Sequence, residues 1–79
     1  MTSRKITIDA QGVTRLDGCT IGKLHQLPGG VLRFNSETGD TITGNAWHQM
    51  RWELSVMFYT PERDILRDSA WLLGEPERL

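Results

Sequence analysis

The sequence predicts an α+β fold, an antiparallel β-meander of five or six strands packed against a C-terminal α-helix. Two-residue hydrophobic alternation recurs through the first half, turn-forming dipeptides punctuate it at short intervals, and a capped pattern of helical period closes the chain. At 79 residues one domain is expected, spanning 1–79, with 75–79 a loose tail after Pro76.

Arg4 to Asp9 places Ile6 and Ile8 on one side and Lys5, Thr7 and Asp9 on the other, the signature of a half-buried strand. A turn at Ala10 to Gly12 leads to a short strand, Val13 to Leu16. Asp17-Gly18 suits a type I′ hairpin turn, because both of its central positions need positive φ. The returning strand from Cys19 changes parity between Ile21 and Leu24, so Gly22 marks a bulge. Pro28-Gly29-Gly30 breaks the chain before Val31 to Asn35, where Leu32 and Phe34 point inward. A loop over Ser36 to Asp40 precedes a strand at Thr41 to Thr43, the fifth of the meander.

Residues 46–59 support two readings. As a strand, Trp52, Leu54, Val56 and Phe58 share a face in near-perfect alternation, and this reading is preferred. As a helix, Trp47, Met50, Leu54, Met57 and Phe58 form a stripe that strands Trp52, Val56 and Tyr59 on the opposite side. Two apolar faces suit a helix covered on both sides, which so small a domain seldom provides. The last element is expected to be a helix with Thr60 as N-cap, Pro61 in the first position, Glu62 and Asp64 at the positive dipole end and Gly74 just past its C-terminus. Its inward stripe is Ile65, Leu66, Ser69, Ala70, Leu72 and Leu73.

Charge and composition exclude more than they select. The net charge is −1: a segment Arg4 to Arg51 has six basic and four acidic residues, a segment Thr60 to Leu79 has three and five, and Glu53 lies between them. That is neither a polyanion nor the basic surplus of a dedicated nucleic-acid binder. Cys19 is the only cysteine, which excludes an internal disulfide and fits a reducing compartment, so a cytoplasmic location is expected. No apolar run reaches the length of a signal or membrane segment. Cys19, His25 and His48 lack the local pairing of a zinc site, phosphate-cradling glycine motifs are absent, and no metal or cofactor is expected. The pairs Glu37/Asp40 and Asp64/Asp68 read as turn and helix-surface acids. A deep cleft would consume much of so small a core, so the chain reads as a binding protein and not an enzyme.

Candidate contact residues follow from the expected elements. On the C-terminal helix Trp71 falls among Asp64, Arg67 and Asp68, opposite the apolar stripe, as an exposed docking anchor. The structural alternative folds Trp71 over a sheet edge or stacks it on Arg67. Arg33 and Arg51, with Arg15 and Lys23, lie on expected strands, at least Arg33 and Arg51 pointing away from the core; Tyr59 or Trp47 could stack a base beside them. The alternative is solvated cross-strand pairing with Glu53 and Asp40.

The stretch Leu16-Asp17-Gly18-Cys19-Thr20-Ile21-Gly22-Lys23-Leu24, followed by Leu27-Pro28-Gly29-Gly30-Val31-Leu32-Arg33-Phe34, resembles "DGxxIGxL…PGGxxRF" hairpins of small phage and prophage proteins. In kind, the chain also resembles the anti-CRISPR inhibitors of mobile elements, which share no common fold and act by occluding surfaces of defence complexes. That resemblance implies a non-enzymatic inhibitor of a host protein or ribonucleoprotein such as a CRISPR effector. A nucleic-acid-binding or regulatory protein using the sheet face, and a structural homodimer, are the other two expectations. The partner-binding set is Trp71, Asp64, Arg67, Asp68, Arg33, Arg51 and Tyr59; monomer and homodimer both stay open.

Overall fold

In the computed structural model, which describes residues 4–73, the chain is an α+β fold built on one six-stranded mixed sheet. The strands are β1 (Ile6–Ile8), β2 (Val13–Leu16), β3 (Cys19–Gln26), β4 (Leu32–Ser36), β5 (Thr41–Gly44) and β6 (Ile65–Arg67); the helices are α1 (Trp47–Phe58) and the short α2 (Ser69–Leu73). The sheet order is β5-β4-β3-β2-β1-β6. Strands β1 to β5 form the expected antiparallel meander, and β6 joins the free edge of β1 in parallel, Ile6 opposite Ile65. Parallel neighbours need a crossover, and the chain between β5 and β6, including α1, supplies it.

The turn chemistry explains the meander. Asp17 and Gly18 both have positive φ, at 51° and 86°, giving the I′-like geometry that matches strand twist. The Asp17 carboxylate also accepts the Lys5 amide at 2.9 Å, tying the hairpin to β1. The β2–β3 register slips between Thr14 and Arg15, whose partners are Gly22 and Thr20. Ile21 is therefore the extra residue, and the parity change seen in the sequence is a bulge. Pro28–Gly30 forms one 3-10 turn.

One face of the sheet is apolar and covered. Ile6, Ile8, Leu24, Leu32, Phe34 and Ile65 are buried together with Met50, Leu54 and Trp71, and Trp47, Met57 and Phe58 pack against them. The Phe58 ring meets Phe34 edge-on at 6.0 Å between centroids.

The structure corrects the sequence reading at two elements. Residues 47–58 are helical, and the preferred strand over 50–59 is overturned. The alternation was real, but Met50 and Leu54, one turn apart, are the residues fully buried, as the helical stripe requires. The sheet needed a cover, and the outer face is left uncovered. The long helix from Thr60 to Gly74 is also overturned over its described length. Its N-terminal signals nucleate a single 3-10 turn, Glu62–Asp64, closed by the Asp64 amide on the Pro61 carbonyl at 2.9 Å. Ile65 then finds more burial beside Ile6 than a solvated helix would give it, and the segment extends as β6. Helix resumes only at Ser69, capped by Asp68, whose carboxylate accepts the Ala70 amide at 2.8 Å. The expected C′ residue Gly74 and the tail 75–79 lie outside the described residues.

Candidate functional site

The most distinctive surface is the outer face of α1. Trp52, Val56 and Tyr59, at spacing i, i+4 and i+7, are 53%, 54% and 86% exposed while the opposite side of the helix is fully packed. On a helical wheel the outward arc holds His48, Gln49, Trp52, Ser55 and Val56, with Arg51 and Glu53 on its two flanks. A band without charge that carries a large aromatic is unusual on a solvated helix. Beside Trp52 lies an open groove of about 460 Å³, lined by His48, Gln49, Arg51, Trp52 and Glu62.

Both ends of α1 are fixed by specific contacts. At the N-terminus Ala46 has no capping side chain, and the Gln49 side chain reaches back to accept the Asn45 amide at 3.1 Å. At the C-terminus Tyr59 adopts the left-handed conformation (φ 51°, ψ 44°), and the Thr60 amide donates to the Ser55 carbonyl at 3.0 Å, closing a Schellman-type turn. Thr60, expected to start a helix, instead ends one: it is buried and its hydroxyl donates to the Phe58 carbonyl at 3.1 Å. The Arg4 guanidinium donates to the same carbonyl at 3.1 Å, placing a cation at the negative end of the helix dipole.

The expected contact residues do not form one surface. Trp71 is 5% exposed, so the exposed-anchor reading is overturned. Its indole packs over Gly12, where a Cβ would approach the ring nitrogen to 2.7 Å, and the Gln26 side-chain amide donates to its carbonyl. The ring thus covers the β1–β2 turn and the end of β3, inside the sheet and not over its edge strands β5 and β6, and it does not stack on Arg67. Arg67 stacks instead on Trp47, with the guanidinium carbon 5.4 Å from the ring centroid. Asp64 lies in the 3-10 turn and Asp68 caps α2, so neither joins Trp71 on a helix face. Arg51 is on α1 and Arg33 on β4; the shared sheet surface assumed for them does not exist. Of the expected set, Tyr59 is exposed and Arg51 lines the groove beside Trp52.

Trp52 and Val56 were visible in the sequence as the residues that a helical reading leaves outside. Cys19 is exposed at the start of β3; His25 is near the end of the same strand, roughly 20 Å away at strand rise, and His48 is on α1. Among the described residues no cluster of three or more His, Cys, Asp or Glu could hold a metal ion, and no helix is long and apolar enough to cross a membrane. No protein-family model, curated protein or solved structure matches this chain.

Among the described residues, Asp9 is electrostatically perturbed. Partial burial opposes its ionisation, but the hydrogen bond from Arg15 at 3.0 Å, with those from the Gln11 and Val13 amides, outweighs burial and holds the carboxyl below its ordinary range. The arrangement organises the β1–β2 turn.

Proposed function

We propose that this chain is a non-catalytic binding protein that docks on a larger protein through the outer face of α1, with Trp52 and Tyr59 as anchors. The observation that carries the reading is the exposed stripe Trp52, Val56, Tyr59 on a helix whose other face is already packed. Spacing i, i+4, i+7 is how a helix presents anchors to an apolar groove on a partner. Aromatic residues also dominate interface energetics when they enter a pocket. Tyr59 adds an independent argument, because a bulky side chain in the left-handed region costs about 1–2 kcal/mol relative to glycine. A ring 86% exposed at a position that favours glycine fits selection for contact and not for stability.

Support for a non-catalytic role comes from the dispersal of Cys19, His25 and His48 over distant positions. The resemblance in kind to anti-CRISPR inhibitors makes CRISPR effector ribonucleoproteins the first partners to test. The experiment is complex formation on size exclusion with purified effectors, using wild type, a Trp52→Ala/Tyr59→Ala double variant and Trp52→Phe. The reading expects a stoichiometric complex with wild type, a loss of affinity of at least about a hundredfold in the double variant, and partial retention with phenylalanine. Complexes that survive the double variant would overturn the α1 face as the contact. A wild-type dimer that the double variant dissociates would identify the face as self-association instead.

A further inference from the structure

The side of the sheet opposite α1 separates charge in a way the whole-chain balance hides. Register places Thr43 opposite Arg33, Thr41 opposite Asn35, Asn35 opposite Lys23 and Thr7 opposite Arg15, all on the parity opposite the buried Phe34, Leu24 and Ile6. The strand residues of this open face carry Arg15, Lys23 and Arg33 and no carboxylate. The acids of the sheet layer sit in turns: Asp9, Asp17, Glu37 and Asp40. Asp9 bridges Arg15 at 3.0 Å, so Lys23 and Arg33 are the principal cations of this surface. They occupy diagonal positions on neighbouring strands, with Cβ atoms roughly 7–8 Å apart.

We infer that this open face binds the phosphodiester backbone of single-stranded nucleic acid, independently of the α1 docking face. Charge complementarity is the argument. Cations interleaved with neutral donors, here Asn35, Thr41 and Thr43, are the groups that contact phosphate and sugar. The described strand residues of this face include no Trp, Tyr or Phe; its ring is the imidazole of His25, opposite Arg33, and its exposed apolar residue is Leu66 on β6, opposite Thr7, so it lacks the large aromatic anchor of a protein hot spot and the row of rings that would read successive bases. Binding is therefore expected to be indifferent to sequence. A duplex groove is read by a protruding helix or ribbon, whereas this surface is an open sheet and its β2–β3 hairpin carries Asp17 at the tip.

The test is fluorescence polarisation of the intact protein with a labelled oligouridylate 20-mer, an RNA duplex of equal length and a polyglutamate peptide. Two to three phosphate contacts predict a salt slope of about −1.4 to −2.1, a loss of roughly seven- to twentyfold between 50 and 200 mM salt. Lys23→Glu/Arg33→Glu should reduce affinity at least tenfold at the lower salt. Trp52→Ala/Tyr59→Ala should leave it unchanged, separating this surface from the α1 reading. Both charge reversals lie on solvent-side strand positions, and circular dichroism of each variant checks that the fold is retained. No binding of the oligouridylate at the lower salt, a slope near zero, insensitivity to charge reversal, or equal or tighter binding of the duplex or the peptide would overturn the inference.

Discussion

Tyr59 sits where a glycine would rest more easily. Its left-handed backbone closes α1, and its side chain touches almost nothing. Tyr59→Gly is expected to raise stability by up to about 1 kcal/mol, the conformational strain removed less the chain entropy glycine adds, while weakening partner binding. A higher urea midpoint at unchanged slope measures the first effect, and a lower midpoint would show that the ring makes contacts that stabilise the fold. Asp9 behaves in the opposite sense, as a residue held for the fold. Its folded pKa lies below the ordinary 3.8, so its contribution is present above that value and is lost as pH falls through the lower folded value. Asp9→Asn should therefore flatten the decline in stability below about pH 4 while changing stability at pH 7 by less than about 1 kcal/mol, since Arg15 is substantially solvent-exposed. Denaturant midpoints measured from pH 7 to pH 2.5 check both parts.

At the scale of elements, the short helix α2 matters more than its five residues suggest, because it delivers Trp71 to the sheet. Trp71→Ala should destabilise by about 3–5 kcal/mol, enough to unfold most of a small domain, whereas Trp52→Ala should stay within about 0.5 kcal/mol. Thermal melts of the two variants side by side test the assignment, and equal melting temperatures would contradict it. The five-strand meander was legible because alternation and turn chemistry agree locally: Asp17-Gly18, the bulge at Ile21 beside Gly22 and Pro28-Gly29-Gly30 all do what their backbones allow. The α1 segment was ambiguous because its residues satisfy periods of both two and 3.6, and only the need to cover Phe34 and Leu32 decides between them. The region after Thr60 misled for a different reason. Its capping residues are local signals, while the pairing of Ile65 with Ile6 is a contact between distant parts of the chain that no window of sequence contains. Trp71 followed from that error, since its exposed position existed only on the assumed long helix.

At the scale of the whole molecule, the two layers divide the work. The apolar side of the sheet, α1 and Trp71 make the core; the outer face of α1 is aromatic and without charge, and the far side of the sheet is polar and cationic. The candidate site was only partly legible, because which residues share a face depends on the layer arrangement and not on any element alone. Arg33 and Arg51 illustrate this, being similar in the sequence and placed on different layers by the fold.

The parallel pairing of β1 with β6 also sets an order of events during synthesis. Hairpins between β1 and β5 join neighbours and can form as each emerges from the ribosome, but the outer edge of β1 stays unpaired until Arg67 has been made. Until then the nascent chain presents a bare strand flanked by Ile6 and Ile8, a template for pairing with another copy. The residues that close the sheet last are thus also those that shield the newborn protein from its neighbours.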